Sequence, residues 1–299
     1  MSAEHHNVSL GPLIIEVAIN GERSKASNPH VPLSAEEIVA SVDACARAGA
    51  SVVHAHAGQA VVGAGGHHDS APYETAFAAI RDMHPGLLMY PTIPGGSAGA
   101  TMADRLAHVC RLAQFGLLGF VPVDPGTMNY GRIDAKGRAP THSAIYQTTY
   151  ADVDWSFELC RKLDLPCTMS VFEPGFVRLI EAHRKAGTLP PESIVKLEFS
   201  AGERLFGLLP NAHGLEAWLQ LFDQRRIAWM VTLRDGDPAD GLAQLAIRKG
   251  GHVRVGIEDY GGPLTPRNEE LVANIAAIGR AHGRTPALAG QVRTLLRRP

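Results

Sequence analysis

Two histidines, His54 and His56, close the apolar run Ser51-Val52-Val53-His54-Ala55-His56-Ala57. Side chains on a strand alternate between its faces, so residues two apart point the same way. Both imidazoles therefore project to one side, at a spacing that suits two ligands of one metal ion. The alternative is a pair of hydrogen-bonded core histidines. What decides between them is whether the elements around this strand can deliver a third donor.

Bulk properties set the frame. The chain has 299 residues, 45% of them apolar and 19% charged, with a formal charge of −2. That describes a soluble globular protein with enough length to bury a large core. The near-neutral balance gives no electrostatic footprint for nucleic acid or for a membrane surface. The start, MSAEHHNVSLGP, lacks the basic-then-apolar layout of a signal peptide, and no apolar run is long enough to span a bilayer. Cys45, Cys110, Cys160 and Cys167 show no C-x-x-C spacing, which reads as buried thiols in a reducing cytosol. A cytoplasmic location is the expectation.

Apolar strand-like runs alternate with amphipathic helical stretches along nearly the whole chain. The strands are expected at Leu13–Ile19, Ser51–Ala57, Leu87–Ile93, Leu118–Val123, Cys167–Phe172, Ile194–Ser200, Ile227–Leu233 and His252–Ile257. Between and after them, helices are expected at Ser34–Ala48, Glu74–Met83, Met102–Gln114, Ala151–Lys162, Phe176–Ala186, Leu215–Gln224, Pro238–Lys249 and Asn268–His282. Ser34-Ala35-Glu36-Glu37 forms a capping box that opens the first helix, and Gly49 stops it.

Eight strand–helix pairs in this length imply an α/β protein with an eight-stranded parallel sheet, a (β/α)8 TIM barrel. An open doubly wound sheet is the alternative, but Ile19-Asn20-Gly21-Glu22-Arg23 is not its G-x-G-x-x-G turn. No linker or low-complexity segment interrupts the pattern, so residues 1–299 read as one domain, with the active site at the C-terminal ends of the strands.

Those ends carry Asn20, Glu22 and Arg23 after strand one, His54 and His56 on strand two, and Thr92 on strand three. Asp124 follows strand four and Glu173 strand five. Arg234 and Asp235 follow strand seven, and Arg254 lies on strand eight before Glu258 and Asp259. In a closed barrel strand eight adjoins strand one, and strand one adjoins strand two. Glu258 can thus join His54 and His56 across the mouth. Two imidazoles and a carboxylate with open positions describe a catalytic divalent site of the zinc type, and equally a non-haem Fe(II) triad.

Arg254 lies four residues before Glu258, where alternation puts both on one face. It pairs with an anionic substrate group or simply with Glu258. Asp259 is placed to act as a base or to orient Arg254. Glu16, alone inside apolar strand one, belongs to a polar core layer or supports a histidine. Cys167 and Ser170, near the end of strand five, have no neighbouring histidine to activate them, which argues against acyl-enzyme chemistry.

The phrase Gly250-Gly251-His252-Val253-Arg254-Val255-Gly256-Ile257-Glu258-Asp259 resembles the signature of the β-keto acid cleavage enzymes, typified by 3-keto-5-aminohexanoate cleavage enzyme. The likeness extends to Pro32-Leu33-Ser34-Ala35-Glu36-Glu37-Ile38 and to Ala48-Gly49-Ala50 ahead of His54-Ala55-His56. It continues through Gly126-Thr127-Met128-Asn129-Tyr130-Gly131, Asn268 through Leu271, and Thr285-Pro286, covering essentially the whole chain.

The resemblance implies a (β/α)8 barrel holding Zn²⁺, or another divalent metal, on His54, His56 and Glu258. It implies a reaction in which a β-keto acid and acetyl-CoA give acetoacetate and the CoA ester of the shortened acid. Arg254 and Asp259 fall in the catalytic and substrate-binding set, and Glu22 falls where the type enzyme contacts its substrate's amino group. A homo-oligomer, dimer or tetramer, is also implied.

Departures cluster in the substrate pocket. A family asparagine is Asp124, a threonine is Pro122, a serine has only Thr92 as its approximate match, and a glutamate falls on Ser170. With Glu22 and Asp124 both at the pocket, an amino or quaternary ammonium group on the β-keto acid is expected. Competing readings are an amidohydrolase-like metal-dependent hydrolase, a CoA-independent divalent-metal aldolase or lyase, and a non-enzymatic metal-binding or scaffold role. Strands five and six carry no histidine, which opposes the first.

Overall fold

Apolar runs rich in β-branched residues become strands here because both of their faces find a core, one inside a ring and one beneath helices. The computed structural model describes residues 10–56, 69–95, 100–141, 145–202 and 204–298. The N-terminal stretch and most of the Gly-rich loop after the His-x-His strand lie outside them. In chain order the strands are β1 (Ile15–Ala18), β2 (Val52–Ala55), β3 (Leu88–Pro91), β4 (Val121–Val123), β5 (Met128–Asn129), β6 (Ile145–Tyr146), β7 (Cys167–Val171), β8 (Ile194–Ser200), β9 (Ala228–Arg234) and β10 (His252–Val255).

Eight of these form one parallel sheet in the order β3-β2-β1-β10-β9-β8-β7-β4, consistent with a (β/α)8 TIM barrel. The seam between β3 and β4 has no ladder. Pro91 and Pro122, one on each edge, have no N–H to donate across it. A bond from the Gly119 amide to the Met89 carbonyl (2.8 Å) spans the gap. A Cβ at Gly119 would sit 2.5 Å from that of Leu88, so the approach needs glycine there.

The helices are α1 (Ala35–Ala48), α2 (Ala71–Met83), α3 (Met102–Arg105), α4 (Ala107–Gln114), α5 (Tyr150–Leu163), α6 (Pro174–Ala186), α7 (Ala212–Leu219), α8 (Leu242–Arg248), α9 (Asn268–Ala281) and α10 (Val292–Leu296). The capping box read at Ser34 is present, with Ser34 accepting from the Glu37 amide and Glu37 returning the bond. Among these helices none is long and apolar enough to cross a membrane.

Several boundaries differ from the sequence expectation. The helix expected over 102–114 breaks at Leu106 into α3 and α4. Just before the break Arg105 is buried, and its guanidinium donates to the carbonyls of Pro94 and Gln147, to Thr148 and to Tyr146. The helix expected from Pro238 begins at Leu242, because Asp237 accepts from the Ala239 amide in a tight turn and Gly241 takes φ +121°. The helix expected to reach Gln224 ends at Leu219. The hairpin of β5 and β6 and the closing helix α10 were not anticipated.

The core has two shells. Outward-facing strand residues pack under the helices in one large cluster. Inside the ring, Ile14, Val52, Ile194, Ala228 and Met230 pack with Phe120 and with Ala287, Val292 and Leu296 of the C-terminal segment. That segment is tied to the start of β1 by the Leu13 amide to the Thr285 carbonyl and by the Ala287 amide to the Leu13 carbonyl (both 2.8 Å). The lowest part of the interior is thus largely apolar and plugged.

His108 on α4 is 2% exposed and bonds the Thr92 carbonyl through Nε2 at 2.7 Å, and burial pushes its pKa down from 6.5 to about 4. With the folded value depressed, the unfolded chain takes up a proton that the folded chain refuses between those two values. Stability should therefore fall as pH drops through this window, by about 3 kcal/mol from this group. Urea unfolding of the wild type and a His108→Gln variant, which keeps an N–H donor, should diverge in slope only between pH 6.5 and 4.

Candidate functional site

The end of β2 is steered by a buried side-chain amide. Asn20 Nδ2 donates to the His56 carbonyl and Asn20 Oδ1 accepts from the His56 amide, each at 2.8 Å. This continues the β1–β2 pairing one step past the last strand residue and sets the backbone from which His56 projects. His54 and His56 lie edge to face with ring centroids 5.2 Å apart.

Glu258 reaches them by a route that strand alternation does not provide. β10 ends at Val255, and Gly256 turns the chain with φ +147° so that the Glu258 amide bonds the Ala18 carbonyl at 3.2 Å. Asn268 holds the Ile257 amide (2.9 Å), and Arg23 Nε donates to the Glu258 carbonyl (3.1 Å). Arg254 and Glu258 therefore share a side because a turn brings them together. Within the trio Glu258 Oε2 lies 3.3 Å from His54 Nε2 and 3.7 Å from His56 Nε2, with all three ligand atoms within 4.8 Å of one another.

Burial drives the His54 pKa well below its ordinary value and lowers that of His56, with the Glu258 charge opposing in each case. Both rings are neutral at neutral pH. Burial works against the Glu258 charge too, but the neighbouring cations, Arg254 foremost, together outweigh it and hold the carboxyl well below the usual range. Glu258 Oε1 accepts from Arg254 Nη2 (2.8 Å) and Arg234 Nη1 (3.0 Å), whereas the buried Oε2 has no hydrogen-bond partner among the described residues. Two neutral imidazoles around an unclaimed carboxylate oxygen match the donor set of a divalent metal site.

Beneath the trio lies a layer of buried charge. Arg254 is 2% exposed and spends its donors on Asp259 (Nε 2.7 Å, Nη2 3.3 Å), Glu258, Glu16 (Nη1 3.2 Å) and Tyr90 (Nη1 3.2 Å). Tyr90 stacks on His54 with centroids 4.7 Å apart, donates to Glu16 at 2.5 Å and accepts from Lys196 Nζ at 2.8 Å. Glu16 thus sits in a polar core layer whose link to the histidines runs through the Tyr90 ring. Arg234, at the end of β9, ties Glu198 (2.9 Å) to Asp259 (2.5 Å) and Glu258.

The remaining expected residues are more dispersed. Glu22 is exposed on the turn after β1, and its charge acts on His56. Asp124 accepts from the Tyr146 hydroxyl at 2.6 Å, and that hydroxyl is also met by Arg105 at 3.1 Å. Thr92 joins through its backbone, its amide to the Ala55 carbonyl and its carbonyl to His108. Ser170 is buried beside Lys196 in the β7–β8 register. Cys167 corrects an expectation: it starts β7, away from the mouth, with Sγ 3.0 Å from the Ser193 hydroxyl.

Tyr90, Lys196, Glu198 and the joint role of Arg234 were missed in the sequence. A signal existed for two of them. Lys196 and Glu198 stand two apart within the otherwise apolar Ile194–Ser200, so they share a face, and a buried charged pair on a barrel strand belongs inside the ring.

A family model described as beta-keto acid cleavage enzyme matches residues 12–297. A 3-keto-5-aminohexanoate cleavage enzyme from Fusobacterium nucleatum is 27% identical over 295 residues, 95% of this chain and 97% of its own. A 3-oxoadipate:acetyl-CoA acetyltransferase from Cupriavidus necator is 26% identical over 305 residues, 96% of this chain and 95% of its own. The solved apo structure of ObcA superposes on 90% of this chain with a TM-score of 0.65 at 16% identity, a likeness of fold. This chain spans 65% of that longer one.

Gly256 gives this site a direct test. A Cβ there would lie 2.1 Å from the Ala18 carbonyl oxygen, in a backbone conformation that L side chains rarely adopt. Gly256→Ala should cost about 2 kcal/mol or more in urea unfolding, through strain and the lost β1 contact. A variant as stable as wild type would show that the turn carrying Glu258 tolerates a side chain.

Proposed function

Because the chain belongs to the β-keto acid cleavage enzyme family, we propose that it converts a β-keto acid and acetyl-CoA into acetoacetate and the CoA ester of the shortened acid. The observation that carries this reading is Glu258 Oε2, a buried, unclaimed carboxylate oxygen between two neutral imidazoles. His54, His56 and Glu258 would hold a divalent ion, zinc in our reading, which when bound supplies Lewis acidity at the mouth.

The protein's own groups account for the rest. Asp259, held by Arg254 and Arg234, takes a proton from C2 of the β-keto acid, directly or through a water. The resulting carbanion attacks the thioester carbonyl of acetyl-CoA, and the CoA thiolate leaves. That thiolate attacks the original keto carbonyl, the bond from this carbon to C2 breaks, and the acetoacetate carbanion recovers the proton from Asp259. Arg254 keeps the Asp259 carboxylate aimed throughout, since Nε and Nη2 grip both of its oxygens.

The substrate is the finer question. Glu22 at the exposed turn and Asp124 across the mouth add carboxylates beyond the metal trio, while Thr92 lines the end of β3. This favours a β-keto acid bearing an amino or quaternary ammonium group, handled by a cytoplasmic homo-oligomer.

Two measurements test the proposal. A screen of β-keto acids with acetyl-CoA, read as CoA-ester products, should show turnover that chelation abolishes and zinc restores. Glu258→Gln and His54→Ala should lower zinc affinity by at least about 100-fold, whereas His84→Ala, whose ring pairs with Asp43 on the outer helices, should keep both zinc and turnover. Product formation without acetyl-CoA would point to an aldolase or lyase instead. Among β-keto acids of equal length, the cationic one should turn over faster than the uncharged one; equal rates would remove the ammonium preference.

A further inference from the structure

We propose that Arg234, the last residue of β9, binds the carboxylate of the β-keto acid, and that Arg254 is a positioning residue. This rests on the β-keto acid cleavage reading and assigns the anion-binding part of that site.

The two guanidiniums differ in what they have left to give. A guanidinium carries five N–H donors. Arg254 directs one at Asp259 from Nε, two at Glu258 and Asp259 from Nη2, and two at Glu16 and Tyr90 from Nη1, and its side chain is 2% exposed. An incoming carboxylate would have to displace one of these buried bonds, leaving a polar group stranded. Arg234 uses Nε on Glu198 and Nη1 on Glu258 and Asp259, while Nη2 bonds nothing among the described residues. Its side chain is 16% exposed. The strand end places it at the mouth, one hydrogen bond from the metal-site carboxylate.

The charge balance of this network asks for one anion. Glu16, Glu198, Glu258 and Asp259 are bonded to Arg234, Arg254 and Lys196, so four carboxylates face three cations. A divalent ion on the trio turns the remaining negative charge into a positive one. A single substrate carboxylate cancels it, and the spare Nη2 is a donor within the network that can receive it without breaking a bond.

The test compares acetoacetate with its neutral isostere acetoacetamide, by calorimetric titration of the zinc-loaded enzyme. The wild type should bind acetoacetate more tightly, by roughly 10- to 100-fold, the worth of a charge-assisted bond. Arg234→Lys keeps a cation for Glu198 but loses the fork, and it should erase most of that preference. At saturating zinc it should also raise KM for the β-keto acid while KM for acetyl-CoA stays at the wild-type value. Arg254→Lys should lower kcat and leave the acetoacetate preference in place.

Arg234→Gln alone would leave Glu198 buried without its cation. The paired Arg234→Gln/Glu198→Gln variant removes both charges, and should give the same loss of preference if the lysine variant proves unstable. A preference that survives in both Arg234 variants overturns the assignment while the reaction itself stands. So does a preference lost only in Arg254→Lys. A wild type that binds neither compound overturns the β-keto acid reading, and the assignment falls with it.

Discussion

Arg254 is a full positive charge in a place with almost no water, and much of the upper barrel is arranged to make that tolerable. Removing an arginine from solvent costs several kcal/mol unless its donors are all met by charged or polar acceptors. Here the acceptors come from β1 (Glu16), β3 (Tyr90) and the turn after β10 (Glu258 and Asp259). Each must arrive in register for the charge to be buried at all. The network therefore makes the position of Glu258 depend on strands well removed in sequence.

The same requirement explains how the interior is layered. Below, the ring is filled by Ile14, Val52, Ile194, Ala228 and Met230 and sealed by Val292 and Leu296, which excludes water from beneath the charged layer. Above it, Tyr90 couples the layer to the His54–His56–Glu258 trio by stacking on His54, and its hydroxyl is pinned between Glu16 and Lys196. A low-dielectric floor strengthens every ion pair over it and makes an unpaired atom there costly. Against that background, Glu16 Oε2, Glu198 Oε1 and Glu258 Oε2 are all buried without a hydrogen bond among the described residues, and Glu258 Oε2 is set apart by lying 3.3 and 3.7 Å from the two imidazoles.

Much of this was legible in the chain. Eight apolar runs separated by amphipathic stretches specify a parallel barrel because both faces of each strand must be buried, and the capping box at Ser34 marks a helix start by local hydrogen bonding alone. His54 and His56 announced themselves because strand period is a local property. Barrel closure then makes β10 the neighbour of β1, so Glu258 could be nominated from topology.

What the sequence could not decide is which charged groups face one another. The spacing of Arg254 and Glu258 suggested a shared strand face, yet the structure brings them together through a turn at Gly256, whose conformation depends on the Ala18 carbonyl across the β1–β10 pair. Likewise nothing local to Arg234 marks it as the partner of Glu198, Glu258 and Asp259 at once, 36, 24 and 25 residues distant. Local periodicity determines what each strand presents. The pairing of buried charges is a long-range electrostatic problem, solved only when the ring closes and water leaves, and so only the tertiary structure determines it.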